Sequence, residues 1–266
     1  MPSRIDRRNG MTKWVLKGLK TGIVTTAYPD RDEAAPGVSP GLPGSGLAFD
    51  EESSSDAERC PTQAFIRDGQ RLWVDYRRCV HCFRCAPGRQ GSTQWQGGYE
   101  WAGRLSDARN KGPELGEVFQ TSLHIRVVDA GACGACLSEI EQLNKPYYNI
   151  HRLGFFITPT PRDADVLLVA GPVTDHMRMT LKKVYEAMPT PKKVVAVGAC
   201  ALSGGVFGPS FISGAGVSDI IPVDVAVPGC PPPPLALIHG LLVMVDRKPS
   251  ASWLSTTPVS GGKEDV

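Results

Sequence analysis

The stretch His124-Ile125-Arg126-Val127-Val128-Asp129-Ala130-Gly131-Ala132-Cys133-Gly134-Ala135-Cys136 is a β-rich run that ends in glycine and delivers two cysteines. The helix-compatible Leu137-Ser138-Glu139-Ile140-Glu141-Gln142 follows it. The same logic recurs downstream. Asp165-Val166-Leu167-Leu168-Val169-Ala170-Gly171 is a continuous apolar run, 175–188 carries helical periodicity, and Lys193-Val194-Val195-Ala196-Val197-Gly198-Ala199-Cys200 repeats strand, glycine and cysteine. Ile220 to Cys230 and a final helix from about Leu235 to Val245 close the series. Apolar strands alternating with helices predict an α/β fold, a parallel sheet with helices on both faces.

Ligands of such a sheet gather beyond the carboxyl ends of its strands. Cys133 with Cys136, Cys200, and Cys230 each follow a different apolar run, so three strand ends can converge on one site. Cysteine also serves as a small buried hydrophobe. Placement at strand ends favours the ligand reading for all four.

The chain has eight cysteines, and the other four form an N-terminal quartet of Cys60, Cys79, Cys82 and Cys85. Four thiolates are what one [4Fe–4S] cluster needs, so the arithmetic predicts two [4Fe–4S] clusters and an electron-carrying protein. Bacterial ferredoxins use C-x₂-C-x₂-C-x₃-C-P, in which the fourth cysteine ligates the other cluster. Cys60-Pro61 looks like the tail of one such run and Cys79-Val80-His81-Cys82-Phe83-Arg84-Cys85 like the head of the next, with Arg89 where its fourth cysteine would stand. One ferredoxin cluster is missing and the other is whole. Between the pieces, 64–74 reads as a hairpin around Asp68-Gly69 that returns Cys60 to the other three. A structural Cys₄ zinc site prefers two C-x₂-C pairs, whereas this segment has a triplet and a distant single cysteine. The opening residues do not read as a signal peptide, so a disulfide framework is not expected.

From Ser122 to Val245 the chain resembles the small subunit of group 4 energy-converting, membrane-bound [NiFe]-hydrogenases, including formate hydrogenlyase, and the related 20-kDa-type subunit of complex I. The matching residues are Ser122-Leu123-His124-Ile125-Arg126, Cys133-x-x-Cys136-x-x-Glu139, Gly171-Pro172-Val173-Thr174, Val197-Gly198-Ala199-Cys200-Ala201, Gly204-Gly205 and Val227-Pro228-Gly229-Cys230-Pro231-Pro232. The resemblance implies a flavodoxin-like domain holding the cluster nearest to a large catalytic partner subunit. Complex I-type subunits open this site with adjacent cysteines. The C-x-x-C followed by Glu139 therefore favours the hydrogenase branch. By the same resemblance Glu139 lies near the large subunit, where it relays protons or orients that subunit's ligands; an ordinary early-helix carboxylate is the plain alternative.

These readings divide the chain into a basic amphipathic segment (1–29), a flexible linker rich in Pro, Gly, Ser and acidic residues (30–58), and a ferredoxin-like one-cluster unit (59–90). An extended arm carrying Trp95, Tyr99, Trp101 and Phe119 and packed against a neighbour (91–120), the flavodoxin-like domain (121–248) and a tail (249–266) follow. His81 is expected on an exposed loop and His239 packed in an apolar helix. Lys13, Lys17 and Lys20 beside apolar positions suit a membrane surface or a partner. No run reaches the roughly 18 apolar residues needed to span a bilayer. The expectation is peripheral attachment at the cytoplasmic face. A net charge of +2 without a basic stripe argues against nucleic acid. The expected partners are a [NiFe]-hydrogenase-like large subunit, a ferredoxin-like iron–sulfur subunit and membrane subunits. The rival readings are a complex I-like quinone reductase subunit and a zinc-stabilised, non-redox assembly adaptor.

Overall fold

The computed structural model describes residues 7–33, 37–89, 91–105 and 122–253. Its N-terminal half carries α1 (Arg7–Thr21), β1 (Leu42–Pro43), β2 (Leu47–Ala48), α2 (Glu51–Glu58), the hairpin β3 (Phe65–Asp68) and β4 (Arg71–Val74), β5 (Trp95–Gln96) and β6 (Gly103–Arg104). The C-terminal half runs β7 (Leu123–Asp129), α3 (Ala135–Gln142), β8 (Phe155–Ile157), β9 (Val166–Ala170), α4 (Asp175–Ala187), β10 (Lys193–Val197), α5 (Gly198–Ser203), β11 (Val225–Val227) and α6 (Pro234–Met244).

One sheet of order β6-β11-β10-β9-β7-β8 forms the C-terminal body. Its last five members are parallel, and β6 adds antiparallel to β11 through Val225↔Arg104 and Ala226↔Gly103. In chain order the parallel strands read 2-1-3-4-5, the flavodoxin-like doubly wound arrangement, with its switch point between β7 and β9. β9 and β10 are buried along their whole length, which is why, apart from Lys193, paired with Asp224 at 3.1 Å, they are written in Val, Leu and Ala without alternation.

On one face, α6 is buried at every position, as an all-round apolar helix must be. Its one polar side chain is satisfied in place: His239 Nδ1 accepts from Ala102 N at 3.1 Å and Nε2 lies 3.1 Å from Pro249 O. This is the neutral tautomer, and burial holds the ring's pKa down. On the opposite face, Leu181, Val173, Met188, Ala201, Val217 and Ile221 form a second core.

The N-terminal half corrects the expectation of a flexible linker over 30–58. Residues 42–43, 47–48 and 51–58 form β1, β2 and α2. Asp50 and Ser53 close a reciprocal capping box at the start of α2, with Ser53 N donating to Asp50 Oδ1 at 2.8 Å and Asp50 N to Ser53 Oγ at 2.9 Å. Leu42 is buried where β1 pairs with β5. Upstream, Tyr28 is fully buried, its hydroxyl donates to Glu100 at 2.9 Å, and Glu100 meets Lys248 at 2.8 Å. Tyr147 donates to Glu33 at 2.7 Å, and Thr26 N to Tyr147 O at 2.8 Å.

The arm is corrected as well over its described part: Tyr99 and Trp101 are buried in this chain's own core, and β6 extends its sheet. Phe119 and the tail beyond Trp253 lie outside the described residues. Cys60, Cys79 and Val74 from the N-terminal unit pack in the same core as Leu235, Leu241 and Cys136. One core therefore serves both halves.

Candidate metal centres

The C-terminal quartet sits at the carboxyl ends of the parallel strands. Cys133 follows β7 in an exposed loop, and Cys136 is buried in the first turn of α3. Cys200 lies in α5 directly after β10, and Cys230 follows β11. Their thiols feel one another: Cys136 is pushed up to about 12, first by burial and then by Cys230, Cys200 and Cys133. Burial likewise raises Cys200 to about 11, with Cys230 and Cys133 adding to it. Buried thiols in such company stay neutral unless a cation compensates, so loading the site must release protons.

Two glycines let the backbone approach these sulfurs. At Gly198 (φ +84) an added Cβ would fall 2.7 Å from Cys136 Sγ, and at Gly205 (φ +61) 2.7 Å from Cys200 Sγ. Both conformations and both distances exclude side chains.

The N-terminal quartet assembles by a different route. β3 and β4 pair antiparallel from Phe65↔Val74 to Asp68↔Arg71, which carries the chain from Cys60 back to Cys79. Burial raises Cys79 to about 12, and Cys85, Cys60 and Cys82 add to the rise. N–H groups already address the sulfurs: Ala64 N donates to Cys60 Sγ at 3.3 Å. Trp95 Nε1 is buried without a close geometric partner. Burial raises the Cys85 thiol to about 11, with the Trp95 side chain working against that rise.

Among the described residues, no three His, Cys, Asp or Glu side chains form a site for a metal ion. The thiols of a four-iron cluster each bind a different iron and need not converge on one point. Four thiols per site, close glycine backbone and N–H groups on sulfur fit such a group.

Asp56, inside the segment expected to be a linker, supports the N-terminal site. It is 2% exposed, and its Oδ2 accepts from Ser92 N (3.0 Å), Ser92 Oγ (3.1 Å), Thr93 N (3.0 Å) and Thr93 Oγ1 (2.8 Å). Thr93 N also reaches Cys85 O at 2.9 Å. Nothing local in the sequence marks this aspartate, because its partners lie 36 and 37 residues away. His81 is 8% exposed, contrary to the exposed-loop expectation, and burial lowers its pKa to about 4. The aromatic rings of Trp95 and Trp101 enclose it.

Glu139 is half-buried on α3, and desolvation raises its pKa. It lines a cavity of about 330 Å³ together with His81, Phe83, Tyr148, Cys230 and four prolines. The cavity therefore touches Cys230 of one quartet and the loop that carries Cys79, Cys82 and Cys85 of the other.

Residues 133–244 match the family model of the NADH ubiquinone oxidoreductase 20-kDa subunit. An uncharacterized protein of Methanocaldococcus jannaschii is 50% identical over 132 residues, which are 49% of this chain and 88% of that protein. The chain belongs to the 20-kDa subunit family. A probable membrane-bound hydrogenase subunit of Pyrococcus furiosus, mbhJ, is 45% identical over 45% of this chain and 72% of its own length. An NADH-quinone oxidoreductase subunit of Clostridium beijerinckii is 44% identical over 42% and 67%. Among solved structures, a chain of the membrane-bound sulfane sulfur reductase, an archaeal respiratory membrane complex, aligns with a TM-score of 0.44 and 28% identity over 52% of this chain and 78% of that one. As a member of the 20-kDa subunit family, the chain is a subunit of an oxidoreductase complex. The family match begins at Cys133, so the N-terminal quartet lies outside it.

Proposed function

We propose that this subunit carries electrons in a membrane-associated, hydrogenase-type complex, with two [4Fe–4S] clusters held by Cys60, Cys79, Cys82 and Cys85 and by Cys133, Cys136, Cys200 and Cys230. The observation that carries the reading is the arrival of four thiols at three strand ends, with Gly198 and Gly205 admitting nothing larger beside two of the sulfurs. When bound, each cluster supplies a reversible one-electron carrier. The chain's own contribution is to fix the thiols, aim N–H groups at sulfur and exclude water from the buried faces. Exposed Cys133 and Cys82 mark the two ends at which partners approach.

On the C-terminal side the partner is a [NiFe]-hydrogenase-like large subunit, and on the N-terminal side a ferredoxin-like subunit. In this reading contact with membrane subunits is peripheral, on the cytoplasmic face; among the described residues no helix is long and apolar enough to cross a membrane. Glu139 serves as a proton-handling or orienting residue at the large-subunit side, a role its half-burial suits. The quinone reductase reading draws support from the similarity to the Clostridium beijerinckii protein, whereas the spacing of Cys133 and Cys136 favours the hydrogenase type.

Iron and sulfide analysis of the purified chain, with EPR of the reduced protein, tests the proposal. About eight irons and two cluster signals are expected. Stoichiometric zinc in place of iron would establish the adaptor reading instead.

A further inference from the structure

Trp101 lies between the two cysteine quartets. It is 5% exposed, and its indole Nε1 donates to Pro228 O at 2.8 Å, two residues before Cys230. Its ring stands edge-on to His81 with centroids 6.1 Å apart. His81 falls between Cys79 and Cys82 and has φ +49, a turn that sends the ring inward. That ring also meets Trp95 edge-on at 5.8 Å, and Trp95 stacks on Phe83 at 4.4 Å. A continuous series of rings therefore leads from the loop of the N-terminal quartet to the backbone beside Cys230.

Trp101 is itself anchored. Its carbonyl accepts from Trp253 Nε1 at 2.7 Å, and Ala102 N is held by His239 of α6. A second strut joins the halves, since Ser203 Oγ donates to Arg77 O at 2.9 Å, two residues before Cys79 and three after Cys200. A residue serving only to fill the core needs no N–H, and burying one costs free energy unless it is bonded. The indole N–H ties the ring to the Cys230 loop in particular.

We propose that Trp101 is a positioning residue that sets the separation of the two cluster sites and provides the contact through which an electron passes between them. This rests on the two-cluster reading above. The step is a one-electron exchange: one site is oxidised as the other is reduced, no bond forms or breaks, and no proton moves. A packed, hydrogen-bonded series with a fixed arrangement is the physical form such coupling takes.

The test compares the full, cluster-loaded wild-type chain with Trp101→Phe and Trp101→Leu, using dithionite as reductant. Iron per chain and the separate signals of partly reduced samples should match wild type in both variants. In fully reduced wild type the two clusters should show a spin–spin interaction by EPR. That interaction reports the separation of the sites, so its strength should change in Trp101→Phe, which keeps an aromatic ring but drops the N–H, and change further in Trp101→Leu. Electron redistribution between the sites, followed by freeze-quench, should slow in the same order. A wild-type interaction and rate in a leucine variant that holds both clusters overturns the proposal. If the leucine variant does not fold, Trp101→Phe decides: an interaction unchanged from wild type overturns the proposal just as surely. A wild-type chain with one cluster instead overturns the two-cluster reading, and iron content distinguishes that failure from the failure of Trp101.

Discussion

Replacing Asp56 by alanine should release the loop that carries Cys85. The wild-type carboxylate gathers four donors on one oxygen. Ser92 is half-buried, so water can take over its two bonds, but Thr93 is buried and its groups have no such relief. Thr93 N retains its bond to Cys85 O, which leaves the Thr93 hydroxyl as the fully orphaned donor and the amide as a weakened one. A buried donor without a partner costs about 1–3 kcal/mol. The total should therefore come to roughly 2–4 kcal/mol, concentrated in the segment after Cys85. A loss of that size is a large share of what a small unit has to spare. The expected result is selective: iron per chain falls towards half, the N-terminal EPR signal fades, and limited proteolysis cuts near 86–92. Asp56→Asn preserves an acceptor oxygen and should retain most of the iron. Wild-type iron content and protease resistance in Asp56→Ala would refute the assignment of a supporting role to this carboxylate.

Three further outcomes follow from the geometry. Cys60→Ala should remove the N-terminal cluster signal alone; disappearance of the C-terminal signal instead would show that Cys60 has been assigned to the wrong site. Gly205→Ala places a Cβ 2.7 Å from Cys200 Sγ at a positive φ, so the C-terminal cluster should load poorly while the N-terminal one is unaffected, as EPR would read directly. Glu139→Gln keeps the side chain's shape but cannot exchange a proton, so iron content and assembly with the large subunit should persist while hydrogen evolution from an artificial donor slows. Turnover equal to wild type would reduce Glu139 to a helix-start residue.

The parallel sheet was legible because buried strands such as Val166–Ala170 and Lys193–Val197 are uninterrupted apolar runs with glycine and cysteine at their ends. The hairpin of residues 65–74 was legible from its Asp-Gly turn. The order of the N-terminal half was not. Strands of two residues, Leu42–Pro43 and Gly103–Arg104, are too short to display a period, and their partners are remote in sequence. α2, with a sequence of Glu, Ser and Asp, looks like a solvated tether until Asp56 is seen bonded to Ser92 and Thr93. The burial of His81 is hidden for the same reason, since the rings that bury it come from Trp95 and Trp101 beyond the motif.

The core shared by Cys60, Cys79 and Cys136 has a kinetic consequence. Two carriers on separate polypeptides must find each other, and their exchange then depends on encounter rate, protein concentration and ionic strength. Here both quartets belong to one polypeptide, and Tyr28, Trp101 and Trp253 are buried in a core that the two halves share. On the two-cluster reading, transfer between the sites is unimolecular. Its rate should then be unmoved by dilution or by added salt, and an assembled complex should hold the two carriers in one-to-one proportion.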